Sequence, residues 1–219
     1  HRIILSANYR KEYMGFMCTS VGMFWEMAPN GRLSYVYSGD MNGDNSGGGG
    51  NDLIYIPRDQ SEIILTDITN SDATIYTADQ QWSDLNAYIN QDEYLSSRRG
   101  QYAERNGAQR PFYGQLDLRI LQDFFIDIKG DKKKRNTLQL SLDIFNFGNL
   151  LNSEWGVYKI QNRNTLINFT GYNAEKQPTF QYPYLNATTK QPLLETYRDD
   201  LNIISRWQMQ IGLRYIFGN

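Results

Sequence analysis

Hydrophobic and polar residues alternate along five stretches of the chain. The clearest stretch, Ile203 to Phe217, carries Trp207, Met209, Ile211, Leu213, Tyr215 and Phe217 at odd positions. Arg206, Gln208, Gln210, Gly212 and Arg214 fill the even ones, and only Ile216 breaks the pattern. A period of two is the signature of a half-buried strand. The same pattern places Leu116, Leu118, Ile120, Phe124, Ile126 and Ile128 opposite Gln115, Asp117, Arg119, Asp123 and Asp127. It then places Leu138, Leu140, Leu142 and Ile144 opposite Gln139, Ser141 and Asp143. Near the start, Ile3, Leu5, Ala7 and Tyr9 oppose Arg2, Ser6, Asn8 and Arg10, and Val21, Met23, Trp25 and Met27 oppose Ser20, Gly22 and Glu26. The prediction is an all-β chain with five long two-faced strands.

Alternation alone fits a soluble β-sandwich as well as a membrane barrel. Strands of about ten residues, apolar toward lipid and Gln-, Asp- and Arg-rich toward a wet interior, are the outer-membrane form. Aromatics at or near the ends of the apolar stripes, Tyr9, Trp25, Trp207, Tyr215 and Phe217, suit a membrane–water boundary. Connection lengths favour the barrel. Two long polar stretches, about 39–112 and 148–202, exceed what compact soluble domains contain, whereas the other turns are short: Gly15-Phe16, and the charged run Lys129 to Asn136. Short turns on the periplasmic side and long loops outside are barrel construction. Pro29-Asn30-Gly31 is read as a kink in a projecting strand, the alternative being a hairpin turn. Inside the first loop, Thr77-Ala78-Asp79-Gln80 matches a capping box, and Trp82, Leu85 and Ile89 follow at helical spacing, predicting a helix over about 78–95. A weaker helical turn is marked at Pro57-Arg58-Asp59-Gln60.

Charge and composition narrow the classes. Lys+Arg 22 against Asp+Glu 24 leaves a net −2, which argues against a nucleic-acid binder. Thirty aromatics (16 Tyr, 10 Phe, 4 Trp) and 18 Gly fit β-structure with many turns. The chain holds no run of the ~18 apolar residues a membrane helix needs. One cysteine, Cys18, excludes a disulfide framework and a cysteine zinc site, and the single histidine, His1, leaves little for histidine catalysis. Cys18 itself reads as a small buried or lumen-facing residue. An opening His1 without initiator Met or signal peptide predicts a mature or excised segment. Five strands cannot stand alone in a bilayer, because an open sheet leaves unpaired edges and barrels begin at about eight strands. The segment is therefore expected to belong to a larger barrel.

Several blocks resemble the C-terminal end of TonB-dependent outer-membrane receptors, and more narrowly the Oar-like branch, whose N-terminus carries a carboxypeptidase-regulatory-like domain. They are Ser34 to Asp44, Asn51-Asp52-Leu53-Ile54-Tyr55-Ile56-Pro57, Arg98-Arg99-Gly100 with Glu104-Arg105-Asn106-Gly107-Ala108, Gln115 to Ile120, Asp143-Ile144-Phe145-Asn146-Phe147, and Gly212 to Phe217. The resemblance implies an antiparallel transmembrane β-barrel segment, the C-terminal strands of a barrel of about 22, in the outer membrane of a Gram-negative bacterium. It implies a receptor that binds a solute at the cell surface and imports it with energy transmitted by TonB. Implied partners are the rest of the barrel and its plug domain, TonB through the missing N-terminal part, outer-membrane lipid, and a surface lipoprotein as a candidate lid. Two departures stand out. Gly218 and Asn219 follow Phe217, the aromatic expected to end the barrel signal, and neither plug nor TonB box occurs among these residues. Transport is thus implied for the parent protein.

Candidate sites follow from the faces and loops. Gln115, Asp117, Arg119, Asp143, Arg206, Gln208, Gln210 and Arg214 are assigned to the lumen, and Leu116, Leu118, Leu140, Leu142, Trp207, Met209, Ile211 and Leu213 to lipid. Asp117, Asp123, Asp127 and Asp143 read as wall-lining groups rather than the spaced acid/base pair of a glycosidase, so no catalytic residue is assigned. Asp40, Asn42 and Asp44, with Asp52 closing the shell, are candidate calcium ligands, because a hard cation needs a tight loop of oxygens; a solvated glycine-rich turn is the alternative. Lys132 to Arg135 reads as a solvated periplasmic turn. Tyr172, Tyr182, Tyr184 and Tyr197 are set either to stack on sugars or grip peptide, or to pack the loop on itself. Glu154 and Trp155, at a strand end, carry no diagnostic chemistry. The competing functions are an outer-surface adhesin or glycan-binding β-protein, and a soluble β-sandwich hydrolase.

Overall fold

The computed structural model describes residues 1–45, 50–128 and 131–218. The chain is mostly β and antiparallel, and divides into two compact units. Unit 1 comprises His1–Asn30, Pro111–Lys159 and Asp199–Asn219, and unit 2 comprises Gly31–Arg110 and Ile160–Arg198. No helix among the described residues is long and apolar enough to cross a membrane.

Unit 1 is built on one five-stranded sheet. Its strands are β1 (Ile3–Tyr13), β2 (Met17–Pro29), β3 (Phe112–Ile128), β4 (Asp131–Phe145) and β5 (Gln208–Ile216), adjacent in that order and all antiparallel. The first two reverse at Met14-Gly15-Phe16, with Met14 at φ 54 and Gly15 at φ 73. Register carries the alternation across the whole sheet. One rung runs Ala7, Met23, Leu118, Ile144, Met209, and the next runs Tyr9, Val21, Ile120, Leu142, Ile211. On the other face, Asn8, Gly22, Arg119, Asp143 and Gln210 line up. A one-residue slip would flip every side chain, so matched rungs over five strands fix the faces firmly.

Three boundaries differ from the sequence expectation. The last strand begins at Gln208, because Ile203–Ser205 forms a 3-10 turn. Arg206, assigned to the lumen, and Trp207, assigned to lipid, therefore sit before the strand, and Phe217 sits just after it. The charged turn over 129–136 is mostly strand: β4 already begins at Asp131, and Lys129-Gly130 lie outside the described residues. Of the basic run, Arg135 pairs with Asp127 at 3.0 Å and Glu12 at 3.3 Å, with its guanidinium 3.9 Å above the Phe125 ring. It is not a free solvated charge. No reversal occurs at Pro29-Asn30-Gly31: Pro29 pairs with Phe112 and the Asn30 N–H donates to the Pro111 carbonyl at 3.2 Å, in keeping with the kinked-strand reading.

The two long connections are not separate polar loops. In unit 2 they fold together around one core that includes Tyr35, Ile54, Ile56, Leu85, Ile89, Leu166 and Tyr182. The strand Val36–Ser38, just before the first connection, pairs parallel with Thr165–Tyr172 from the second, which also pairs with Pro178–Gln181. The predicted helix forms as α1 (Ala78–Gln91), with both hydrogen bonds of the Thr77/Gln80 capping box. It breaks at Asp92, whose carboxylate caps α2 (Glu93–Ser97) by accepting the Leu95 N–H at 2.9 Å. A single 3-10 turn, Gln60–Glu62, follows its own cap, Asp59.

Candidate functional site

The polar face of the unit 1 sheet gathers most of the residues assigned to a lumen. Asp143, buried on that face, takes the Arg119 guanidinium from the neighbouring strand. Asp117 accepts Gln115 Nε2 at 2.7 Å and the Asn146 N–H at 2.8 Å. Asp123 accepts Gln139 Nε2 at 2.8 Å. All four aspartates on this face, Asp127 included, are thus engaged by donors on the same sheet. Gln208, Gln210 and Arg214 share the face by register, opposite Phe145, Asp143 and Gln139. Cys18 is fully buried here and accepts Arg10 Nε at 3.1 Å. A hollow of about 300 Å³ lies over Gly22, bordered by Arg119, Asp143 and two rings, Phe24 and Phe145. Sequence reading left these rings out because it tracked only the polar and small members of the face.

The motif at the end of β4 is structural. Asn146 takes the left-handed conformation at φ 52 and donates from Nδ2 to the Gly156 carbonyl at 2.9 Å, folding the chain over the short helix α3 (Phe147–Leu151). Gly156 has φ +60, and a Cβ there would lie 1.9 Å from Asn146 Oδ1.

The opposite face carries the residues assigned to lipid. Leu116, Leu118, Leu140, Leu142, Met209, Ile211 and Leu213 share it, and among the described residues nothing covers its β5 part: Ile211 is 76% and Leu213 69% exposed. The sheet edges, β1 and β5, have no further strand paired to them among the described residues.

Unit 2 holds its own polar network. Asp92, inside the core, accepts the hydroxyls of Tyr35 and Thr196 as well as the α2 cap, joining the first connection to the second. Gln81, fully buried on α1, donates to the Thr66 and Tyr76 carbonyls at 2.8 and 2.9 Å and accepts the Tyr182 N–H at 2.9 Å. Burial pushes the Tyr37 and Tyr88 hydroxyls up to about 12, and Tyr35, Tyr76 and Tyr182 further still. Desolvation lowers Arg163, which donates to the Pro183 and Tyr184 carbonyls instead of pairing with an acid. Of the aromatics singled out in sequence, Tyr182 is core, Tyr184 stacks on Tyr76 at 3.9 Å between centroids, and Tyr172 is largely exposed. Tyr197 is half-buried.

Asp40 and Asp52 are held by backbone donors. Asp40 accepts N–H groups from Gly43, Asp44 and Asn45 at 2.9, 3.3 and 2.9 Å, and Asp52 accepts those of Met41 and Asn42 at 2.7 and 3.2 Å. Asn42 bonds Asp44 through both ends of its amide. A cation here would compete with these donors for the same oxygens. No group of three or more His, Cys, Asp or Glu placed for a metal occurs among the described residues; residues 46–49 of the expected loop lie outside them.

Beside this segment opens a cleft of about 480 Å³, lined by Met41, Asn42, Asn51, Asp52, Leu53, Tyr102 and Arg105. Arg99, quoted in sequence as part of a motif, braces the region by donating to the Pro57 carbonyl and to Asn90 Oδ1 at 2.9 and 2.7 Å. Arg98 donates to the Tyr102 carbonyl at 3.1 Å and pairs with Glu104 at 3.1 Å. The turn bearing Arg105 is anchored by Tyr94, whose hydroxyl accepts the Glu104 N–H at 2.7 Å. A Cβ at Gly107 would fall 2.3 Å from that hydroxyl oxygen, so any larger residue there would displace Tyr94. Tyr102 and Arg105 went unassigned in the sequence, since neither belongs to a periodic pattern.

Comparison with protein-family models, with curated proteins and with solved structures finds no match to this chain.

Proposed function

We propose that this chain is a wall segment of an Oar-like TonB-dependent receptor in the outer membrane, with unit 1 in the bilayer and unit 2 contributing to solute capture. The apolar face of the sheet meets lipid, the Arg119–Asp143 face lines the lumen, and the free edges of β1 and β5 join further strands to close the barrel. In the parent protein, TonB acts on the plug and drives import of the captured solute.

The observation that carries this reading is the uncovered apolar band. It runs through the register from the Trp25 rung to the Met17 rung, 25 − 17 = 8 residues along β2, interrupted by one rung on which Lys11, Thr19 and Gln122 stand beside Leu140 and Leu213. At about 3.3 Å per residue that is about 26 Å of strand, or about 20 Å of height at a tilt of about 40°, close to the ~25 Å band of outer-membrane barrels. Trp25 closes one end of the band, and Tyr13, Phe124 and Tyr215 the other, as interfacial aromatics do. A soluble domain of this size would not leave such a patch bare.

The test is flotation. This chain refolded with liposomes together with the remaining strands of its barrel is expected to rise with the lipid and resist extraction by alkaline carbonate. Recovery in the aqueous fraction, without lipid, removes the reading and leaves an outer-surface adhesin, for which the separate core of unit 2 is the favourable observation.

A further inference from the structure

The cleft beside Asp52 combines a fixed exposed ring with polar groups set around it. Tyr102 is 60% exposed. Its ring is braced edge-on by Tyr55 at 5.4 Å, its backbone pairs with Tyr55, and the Tyr55 hydroxyl is itself tied to Glu62 at 3.0 Å. A ring held this way gives apolar contact area at little cost in conformational entropy. Among the described residues Arg105 forms no ion pair; its Nη2 donates to Asn51 Oδ1 at 2.8 Å, which aligns guanidinium and amide side by side. Asp52 is anchored through Oδ2 alone in the bonds that fix it.

We propose that this cleft binds one or two units of a neutral glycan, with a sugar ring face on Tyr102 and its hydroxyls on Asp52, Asn51 and Arg105. The proposal rests on the reading of unit 2 as the solute-capturing part of a receptor, and names the class of solute. Three arguments select it. The volume, about 480 Å³, lies in the ~300–1,000 Å³ range of small-ligand sites. One carboxylate and one guanidinium balance in charge, so a neutral polyol gains both a strong acceptor and a strong donor, whereas an acidic sugar would bring its carboxylate against Asp52. The polar groups are side-chain carboxylate, amide and guanidinium, suited to hydroxyls, whereas an extended peptide is gripped chiefly by main-chain bonds along a sheet edge.

The test uses the full chain in amine-oxide micelles, which carry no sugar headgroup. Neutral gluco-, manno- and galacto-oligosaccharides, a uronate oligomer and a set of tripeptides are titrated by calorimetry and saturation-transfer NMR. Saturable binding of at least one neutral oligosaccharide is expected, weakened at least about tenfold by Tyr102→Ala and kept by Tyr102→Phe. Asp52→Asn, which retains an acceptor for the Met41 and Asn42 amides, is expected to weaken binding severalfold without unfolding the loop. The proposal is overturned if no neutral oligosaccharide binds, if the uronate or a peptide binds more tightly, or if Tyr102→Ala leaves affinity unchanged. Flotation of the reassembled barrel in liposomes, read separately, keeps the two readings apart. Chain that floats but ignores sugars loses the glycan alone, and chain that binds sugars without floating loses the receptor.

Discussion

The two units use apolar residues in opposite ways. In unit 2 the large side chains turn inward: Leu85, Tyr88, Leu166 and Tyr182 are fully buried around one core. In unit 1 the longest and most regular strands keep theirs outward, with Leu5, Tyr9, Ile211 and Leu213 all more than half exposed. The difference teaches that regular alternation records two faces of unlike chemistry without naming what either face meets. Unit 2 supplies its own apolar medium, and among the described residues nothing covers the β5 part of the apolar face in unit 1.

Alkaline titration should separate the units most sharply. The buried tyrosines of unit 2 have folded pKa values raised above the ordinary value of about 10, to about 12 for Tyr37 and Tyr88. The unfolded chain therefore loses these protons first. Their contribution is intact below pH ~10 and is lost as pH rises toward 12, at about 1.4 kcal/mol per pH unit for each tyrosine. Unit 2 is expected to unfold cooperatively in that window, seen as a step in tyrosinate absorbance; gradual ionisation without loss of structure would contradict the burial.

Leu85→Ala, in the core of unit 2, is expected to lower stability by about 2–5 kcal/mol, measured by denaturant unfolding followed at the tyrosines, with the sheet of unit 1 unaffected. Its counterpart is Ile211→Arg on the bare face. Such a change is nearly neutral on a water-exposed surface, but costs about 2–4 kcal/mol near a bilayer midplane. Comparing its stability with that of the unsubstituted protein in the reassembled barrel in liposomes reads that difference, and equal stability there would count against a lipid contact.

Gly156→Ala should cost about 1–3 kcal/mol, because it adds strain at φ +60 and drives a methyl group into Asn146. Thermal unfolding of the sheet checks it. Smallest is Asp40→Ala, which removes the acceptor for three backbone amides at roughly 1 kcal/mol. Hydrogen exchange at Gly43 to Asn45 is expected to quicken. The same exchange with added calcium distinguishes a cation-held loop from one held by its own donors.

Legibility in the sequence followed locality. The Thr77/Gln80 capping box was readable because its partners are three residues apart, and the helix it starts forms as expected. Its end was not: Asp92 closes α1 by capping α2 through the Leu95 N–H, and the same carboxylate is bonded to Tyr35 and Thr196, far away in the chain. The start of the last strand was misplaced for a related reason: Ile203 and Ile204 keep an apolar pattern, but the Arg206 N–H bonds to the Ile203 carbonyl in a 3-10 turn. Two polar-looking connections concealed a core because its members are scattered singly among Asn, Gln and Asp, and only the pairing of Val36–Ser38 with Thr165–Tyr172 brings them together.

By itself the sequence determined the five amphipathic strands, their two chemical faces and the capped helix, since period two, period 3.6 and capping are dictated by neighbouring backbone geometry. Only the tertiary structure decided that the long connections share one core, that the aspartates of the polar face are each engaged, and that Tyr102 and Arg105 border one cleft. Those facts depend on residues distant in the chain meeting in space, and no local pattern encodes such a meeting.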